Sequence, residues 1–228
     1  GKAVEAGRAA DGFFACLEDG ERAEGRTLLI ATGVVDDVPA IEGIEPLYGR
    51  SVHHCPYCDG WEHRDEPIAV YGSGEHAARF ALGMLTWTAD IVLLTDGPHH
   101  YPEALLEKLA RHGIAVRTDR VRRLEGRDGA LERIHFGDGP PLERRALFFS
   151  TGQRQGSGFA AQFGARFTRD GAVATGKAEK TSVPGLFVAG DASKDAQLVI
   201  VAAAEGAEAA IAINTELARL DLAAARPR

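Results

Sequence analysis

The chain of 228 residues has 45% apolar and 26% charged side chains and a formal charge of −7, a balance that suits a globular protein with room for two small domains. An acidic chain without a basic stripe excludes nucleic acid as a general partner. No apolar run reaches bilayer-spanning length, and residues 1–10 lack the charged head and apolar core of a signal peptide. With 3 cysteines it is no disulfide scaffold, which fits a reducing cytoplasm.

Residues 1–12 are small and polar. Phe13-Phe14-Ala15-Cys16-Leu17 reads as a strand, with Cys16 as a buried small hydrophobe, and Glu18-Asp19-Gly20 as a turn. Thr27-Leu28-Leu29-Ile30-Ala31 reads as a buried strand that Thr32-Gly33 ends. The polar stretch Val35-Asp36-Asp37-Val38-Pro39, where Pro39 forces extended backbone on its neighbour, marks a domain boundary. His53-His54-Cys55-Pro56-Tyr57-Cys58-Asp59-Gly60 follows. Two thiols one turn apart can close a small disulfide ring, and their mutual electrostatics at a helix start can hold one of them as a reactive thiolate. Zinc would need four ligands. Adjacent His53 and His54 project apart, and no second C-x-x-C or H-x3-H follows, so redox chemistry is expected and no metal.

Ile68-Ala69-Val70-Tyr71 runs directly into Gly72-Ser73-Gly74-Glu75-His76-Ala77, after which Phe80, Ala81 and Met84 continue at helical spacing. A second strand, Ile91-Val92-Leu93-Leu94-Thr95, closes a βαβ unit of about thirty residues, the context a dinucleotide fingerprint demands. Gly72 permits the tight turn, Gly74 lets backbone amides approach a pyrophosphate, and Ala77 supplies the small third residue. Asp96 reads either as the acceptor for a ribose 2′-hydroxyl or as plain turn chemistry in Asp96-Gly97-Pro98. No arginine stands between Ile91 and Arg111, so the loop either favours NADH over NADPH or has lost strong nucleotide binding. Residues 102–112 predict an amphipathic helix with Leu105, Leu106 and Leu109 inward, followed by strands at 114–116 and 131–136. Arg120, Arg122, Arg123 and Arg127, interleaved with Glu125 and Asp128, read as a solvated face. His99 and His100 receive no role. Residues 146–152 repeat the sense of 28–33 and read as the return to the first domain. There Leu186-Phe187-Val188-Ala189-Gly190-Asp191 is a buried strand ending in an acid, suited to a polyol hydroxyl or to helix capping, and residues 197–220 predict a long Ala-rich helix.

In this order the motifs resemble the low-molecular-weight thioredoxin reductase-like flavoproteins of the pyridine nucleotide–disulfide oxidoreductase superfamily. The resemblance implies an α/β protein of two Rossmann-like three-layer domains, the NAD(P) domain inserted into the FAD domain. Residues 1–35 and 148–228 would form the FAD domain and residues 36–147 the NAD(P) domain. FAD and NAD(P)H are the implied cofactors. Cys58 would lie next to the flavin, Cys55 would exchange with substrate, and Asp59 would be the acid, with His54 as an additional base or an exposed loop histidine. Thr32 and Gly33 match the first crossover between domains. Gly72, Gly74, Glu75, His76, Ala77 and Asp96 match the nucleotide site, and Gly190 and Asp191 match the flavin-closing motif. Gln197 and Leu198 match the helix start at the flavin's pyrimidine edge.

Two departures stand out. The glycine-rich strand–turn–helix that grips the FAD pyrophosphate is not found before Ile30, so the chain reads as a member without its N-terminal FAD-binding segment. The arginines that follow the second nucleotide strand in NADPH-dependent members are missing, while the histidine pair and C-P-Y-C resemble a subgroup containing dithiol oxidases. The expectation is a cytoplasmic, homodimeric disulfide reductase, its partner a thioredoxin-like protein or a small disulfide or dithiol. The alternatives are an FAD-dependent dithiol oxidase and a flavin-free interaction module. In either enzyme the domains would rotate about hinges near Val35-Asp36 and Phe149-Ser150.

Overall fold

Alternating apolar residues in short runs set up this fold, and the computed structural model, which describes residues 1–193 and 196–224, shows how they are used. The chain divides into two units: residues 36–152 form unit 2, and the chain on either side of them forms unit 1.

Unit 1 begins with β1 (Ala3–Ala9), β2 (Gly12–Leu17) and β3 (Arg22–Gly25), an antiparallel sheet in that order. The polar segment before Gly12 becomes a strand because β2 offers it an antiparallel partner, with Ala6 opposite Ala15; pairing outweighs its weak intrinsic preference. Cys16 is half-buried, not buried as expected, since only Phe13 of β2 is wholly enclosed. After β4 (Leu28–Ile30), β5 (Val34–Asp36) carries the chain out.

Unit 2 contains β6 (Val52–His53), α1 (Pro56–Asp59), β7 (Ile68–Tyr71), α2 (Gly74–Gly83), β8 (Ile91–Leu94), α3 (Glu103–Arg111) and β9 (Ala115–Arg117). The antiparallel β10 (Val121–Arg127), β11 (Ala130–Phe136) and β12 (Leu142–Glu143) follow, then β13 (Ala146–Phe149). A parallel sheet of order β6-β13-β7-β8-β9 forms the middle layer. Because side chains alternate across a sheet, each strand divides its residues between two cores. Ile68, Val70, Ile91, Leu93, Ala146 and Phe148 pack under α2 and α3. Ala69, Val92, Leu94, Leu147 and Phe149 pack against Leu124, Leu131 and Ile134 of the antiparallel sheet. Strands buried on both faces read as continuous apolar runs. Burying a side chain such as Phe148, which has no exposed surface, contributes about 1.5–3 kcal/mol.

Two expectations shift here. Leu106 of α3 is exposed while Leu105 and Leu109 are buried, because Leu105 and Leu109, four apart, share one face of the helix and Leu106, the next residue after Leu105, turns away from it. Residues 146–149 are not the start of the return to the first unit. They form the strand between β6 and β7, so the second crossing falls after Gly152 and not at residue 148.

Back in unit 1 lie β14 (Gln153–Gln155), which pairs with β5, then α4 (Phe159–Gln162), β15 (Leu186–Val188) and the long α5 (Val199–Ala224). β15 pairs in parallel with β4, Leu186 opposite Leu28 and Val188 opposite Ile30. The carboxyl ends of these strands therefore emerge together. No helix among the described residues is long and apolar enough to cross a membrane.

Candidate functional site

The cysteine motif folds as the first turn of α1. Cys55 is its extended N-terminal residue, Pro56 opens the helix, and Gly60 N donates to Pro56 O at 2.9 Å. A proline suits that opening position, where an amide would find no partner. Cys55 and Cys58 are joined as a disulfide, their Cα atoms 5.3 Å apart. Gly60 is required for close approach: a Cβ there would lie 2.4 Å from Pro56 O and 2.6 Å from Trp87 Nε1. Tyr57 and Trp61 flank the disulfide and are exposed.

The two histidines before the disulfide serve opposite faces of the sheet. β6 pairs with β13 so that His53 sits opposite Phe148, and the next residue must point the other way. The His53 ring lies 5.3 Å from the ring of Phe148, and the His54 ring 6.2 Å from that of Phe149. Each histidine has its own carboxylate. His53 Nδ1 is 3.3 Å from Asp59 Oδ1, and His54 Nδ1 is 3.1 Å from Asp36 Oδ2. The Tyr48 hydroxyl donates to the same Asp36 oxygen, and its pKa is pushed up to about 12, by burial first and then by that carboxylate. Burial pushes His53 down from the ordinary histidine value, against the opposing pull of Asp59. Among the described residues no group of three or more His, Cys, Asp and Glu side chains is arranged to hold a metal ion.

The glycine loop stands in the same unit. Strand β7 ends, Gly72 turns at φ 156°, and α2 begins at Gly74 with φ 74°. A Cβ on Gly72 would come within 3.0 Å of Ser150 O and 3.1 Å of the Ala77 methyl, so this turn needs glycine and Ala77 must stay small. A Cβ on Gly74 would meet nothing within 4 Å, which leaves that backbone open to a ligand. The loop borders a cavity of about 590 Å³ lined by Gly72, Ser73, Thr95, Asp96, Arg120 and Ser150, among others. Its open glycine backbone at a helix start and its polar lining fit a dinucleotide. Asp96 adopts φ 53° and its Oδ1 accepts from Val121 N at 2.7 Å, so it shapes the turn while lining the cavity. Burial and then the Asp96 charge push Tyr71 up to about 12. His76 Nδ1 lies 2.7 Å from Ser150 Oγ, and Glu75 pairs with Arg79 at 3.0 Å on the helix surface.

In unit 1, Thr32 and Gly33 follow β4, and Gly190 and Asp191 follow β15 close by, since Ala189 N donates to Ile30 O. Gly33 has φ 61° with open space at its Cβ position, and the Gly190 amide, at φ 79°, donates to buried Glu205 at 2.7 Å. This fits the open edge that a flavin's ribityl chain would meet. Thr32 Oγ1 is 2.9 Å from Ser157 Oγ. Gln197, bonded to Gln153 at 2.6 Å, and Leu198 precede α5, which starts at Val199.

The family model for the pyridine nucleotide-disulphide oxidoreductases matches residues 3–206. The chain belongs to that family. This family member is 28% identical over 83% of its length to a probable thioredoxin reductase of Arthroderma benhamiae, covering 54% of that protein. It is 27% identical over 86% of its length to the thioredoxin reductase of Aquifex aeolicus, covering 63% of it. Among solved structures it resembles HlmI, with a TM-score of 0.89, 30% identity and coverage of 98% of this chain and 71% of that one. An oxidoreductase from Agrobacterium tumefaciens gives a TM-score of 0.84 and 27% identity over 95% of this chain and 73% of its own. The chain thus spans about half to two thirds of the length of these two curated relatives.

Sequence reasoning did not find Asp36, Tyr48, His63, Glu66 or Arg120. The signal for Arg120 lies in topology: β9 neighbours β8, so the segment after β9 borders the same cavity as Asp96. Arg120 is exposed, as expected of a solvated face, and it also lines this cavity.

Proposed function

We propose that this protein is a thioredoxin reductase-like thiol–disulfide oxidoreductase that uses NAD(P)H and FAD, with Cys55–Cys58 as its redox disulfide. The observation that carries this reading is a disulfide closed across one helical turn, beside Asp59, in the unit that also holds the nucleotide cavity. Unit 2 is then the NAD(P) domain and unit 1 the flavin domain.

A bound flavin would supply two-electron transfer between nicotinamide and disulfide. The chain's own groups do the rest. Backbone amides at Gly72–Gly74 receive the pyrophosphate, and Asp191, with Thr32 and Gly33, receives the ribityl hydroxyls. Gln197 and Leu198 lie at the pyrimidine edge. Cys58 takes the flavin side and Cys55 the exchanging side. Asp59 holds a proton for the leaving thiolate and takes one from the attacking thiol. The acceptor is a thioredoxin-like protein or a small disulfide. A cytoplasmic setting follows from the cysteine usage, and a homodimer is supported by the apolar side chains that α5 leaves exposed, Val199, Ile200, Ile211 and Leu222.

The same cysteines can run backwards as a dithiol oxidase. The His54–Asp36 pair next to Cys55 favours that second reading, because a carboxylate-oriented imidazole can deprotonate an incoming dithiol. The deciding experiment is an anaerobic titration of the FAD-supplied protein with NADH, then NADPH, then a dithiol. Bleaching of the flavin band by either nucleotide supports the reductase. Bleaching by the dithiol alone supports the oxidase. A protein that retains no flavin and turns over no disulfide is the interaction module.

A further inference from the structure

Behind the cysteine helix lies a row of four side chains that thiol exchange at Cys55–Cys58 does not by itself call for. His53 Nδ1 faces Asp59 Oδ1 at 3.3 Å, His53 Nε2 faces His63 Nε2 at 3.1 Å, and His63 Nδ1 is 2.9 Å from Glu66 Oε2. The Asp59 side chain is 36% exposed; from buried His53, at 5%, exposure rises to 14% at His63 and 42% at Glu66. Phe148 packs on both imidazoles, its ring 5.3 Å from that of His53 and 6.1 Å from that of His63. Both ends of the row are part-exposed carboxyl groups, one of them beside Cys58.

Proton counting shows what such a row can do. Four groups leave three gaps, of which His53–His63 and His63–Glu66 are hydrogen bonds and His53–Asp59 is a 3.3 Å ion-pair contact, and a proton placed in each gap is one proton per gap. Two neutral imidazoles bring two N–H groups, so with both carboxylates ionised one gap would set lone pair against lone pair. A proton stands in every gap only when the row holds one proton beyond two neutral rings. Burial, chiefly, pushes His53 down; His63 and His54 add to this, while Asp59 and the backbone at Arg50 oppose it. His53 is therefore a place that passes a proton on and does not keep it.

We propose that Glu66, His63 and His53 form a proton path that reloads the Asp59 carboxyl from solvent during thiol–disulfide exchange. The proposal rests on the redox reading of Cys55 and Cys58. In the exchange, Cys55 sulfur bonds to one sulfur of an external dialkyl disulfide, the substrate S–S bond breaks, and the leaving thiolate takes a proton. Cys58 sulfur then bonds to Cys55 sulfur, the mixed disulfide breaks, and the second thiolate takes a proton. Two electrons pass from the enzyme dithiol to the substrate, and two protons must reach its sulfurs. Where Cys55 starts as a thiolate, its own proton is already in solvent, and one must return. Asp59 is itself part-exposed in the free protein, so the path acts when a substrate seated over α1 covers Asp59 and leaves Glu66 open at the far end of the row.

The test compares two substrates on the full chain, reduced with a dithiol, freed of it, and quenched at set times with an alkylating agent. Bis(2-hydroxyethyl) disulfide releases a basic thiolate that needs a proton, whereas an aromatic disulfide such as 5,5′-dithiobis(2-nitrobenzoate) releases a thiolate that leaves without one. His63→Gln is expected to slow oxidation of Cys55–Cys58 by the dialkyl disulfide about tenfold, a modest part of what general acid catalysis supplies, with the aromatic rate unchanged. Glu66→Gln, on the surface and safe for folding, gives the same pattern more weakly, and added imidazole restores the dialkyl rate in His63→Ala. Equal slowing with both disulfides, no slowing with either, or no rescue by imidazole overturns the path. A parent protein that reacts with neither disulfide overturns the redox reading itself, and the path with it.

Discussion

Cys58 stands beside Asp59 within a ring closed to Cys55, so its substitution separates the thiol chemistry from the nucleotide chemistry. Cys58→Ser is expected to abolish thiol–disulfide turnover while leaving bound flavin reducible by a nicotinamide donor. The flavin band and a disulfide assay read the two separately, and disulfide turnover at the parent rate would sink the assignment. In the cavity beside the glycine loop Asp96 and Arg120 carry opposite charges. Asp96 has one oxygen committed to the Val121 amide, whereas Arg120 offers a charge suited to an extra phosphate. Arg120→Ala should raise KM for NADPH by roughly tenfold, as expected for losing about one charge-assisted contact, and leave KM for NADH nearly unchanged. Steady-state kinetics with both donors check this, and equal effects would deny Arg120 a part in choosing between them.

At the scale of elements, the β10–β11 hairpin is held by a charge cluster on its outer face. Glu125 accepts hydrogen bonds from Arg133 and His135, which together hold its carboxyl down at about 2. A depressed carboxylate adds stability above its unfolded value of about 4.3, and that stability is lost as pH falls toward the folded value. Glu125→Gln should therefore melt below the parent at neutral pH and converge with it as pH falls from about 4 to 2, a difference that salt shrinks because the cluster is solvent-facing. Thermal melts across that window test it; a constant gap between variant and parent would place the effect elsewhere. The strand–glycine–helix of β7 and α2 was legible because its chemistry is local: apolar run, Gly72, Gly74 and Ala77 lie within ten positions. The place of β13 was not. Its sequence repeats the sense of the strand before Thr32, and only its pairing with β6 and β7 puts it in unit 2.

For the whole molecule the division of the chain has a consequence that can be measured. Unit 2 is one unbroken stretch with cores on both faces of a five-stranded sheet, whereas unit 1 is assembled from two stretches. A fragment of residues 36–152 is expected to fold alone with a cooperative melt and to bind a dinucleotide, as followed by circular dichroism and calorimetry. A non-cooperative melt would show that its fold depends on unit 1. By itself the sequence determined the α/β class, the closely spaced pair Cys55 and Cys58, the glycine loop and the acids that follow β8 and β15, because each is written in neighbouring residues whose spacing constrains the backbone directly. The tertiary structure alone decided the partners of those groups. Parallel pairing of β6 with β13 sends His53 to Asp59 and His63, and His54 to Asp36. The adjacency of β8 and β9 likewise brings Arg120 to the cavity that Asp96 lines. Such contacts depend on strand order and register, which are fixed by burial across the whole sheet and leave no mark in any short stretch of chain.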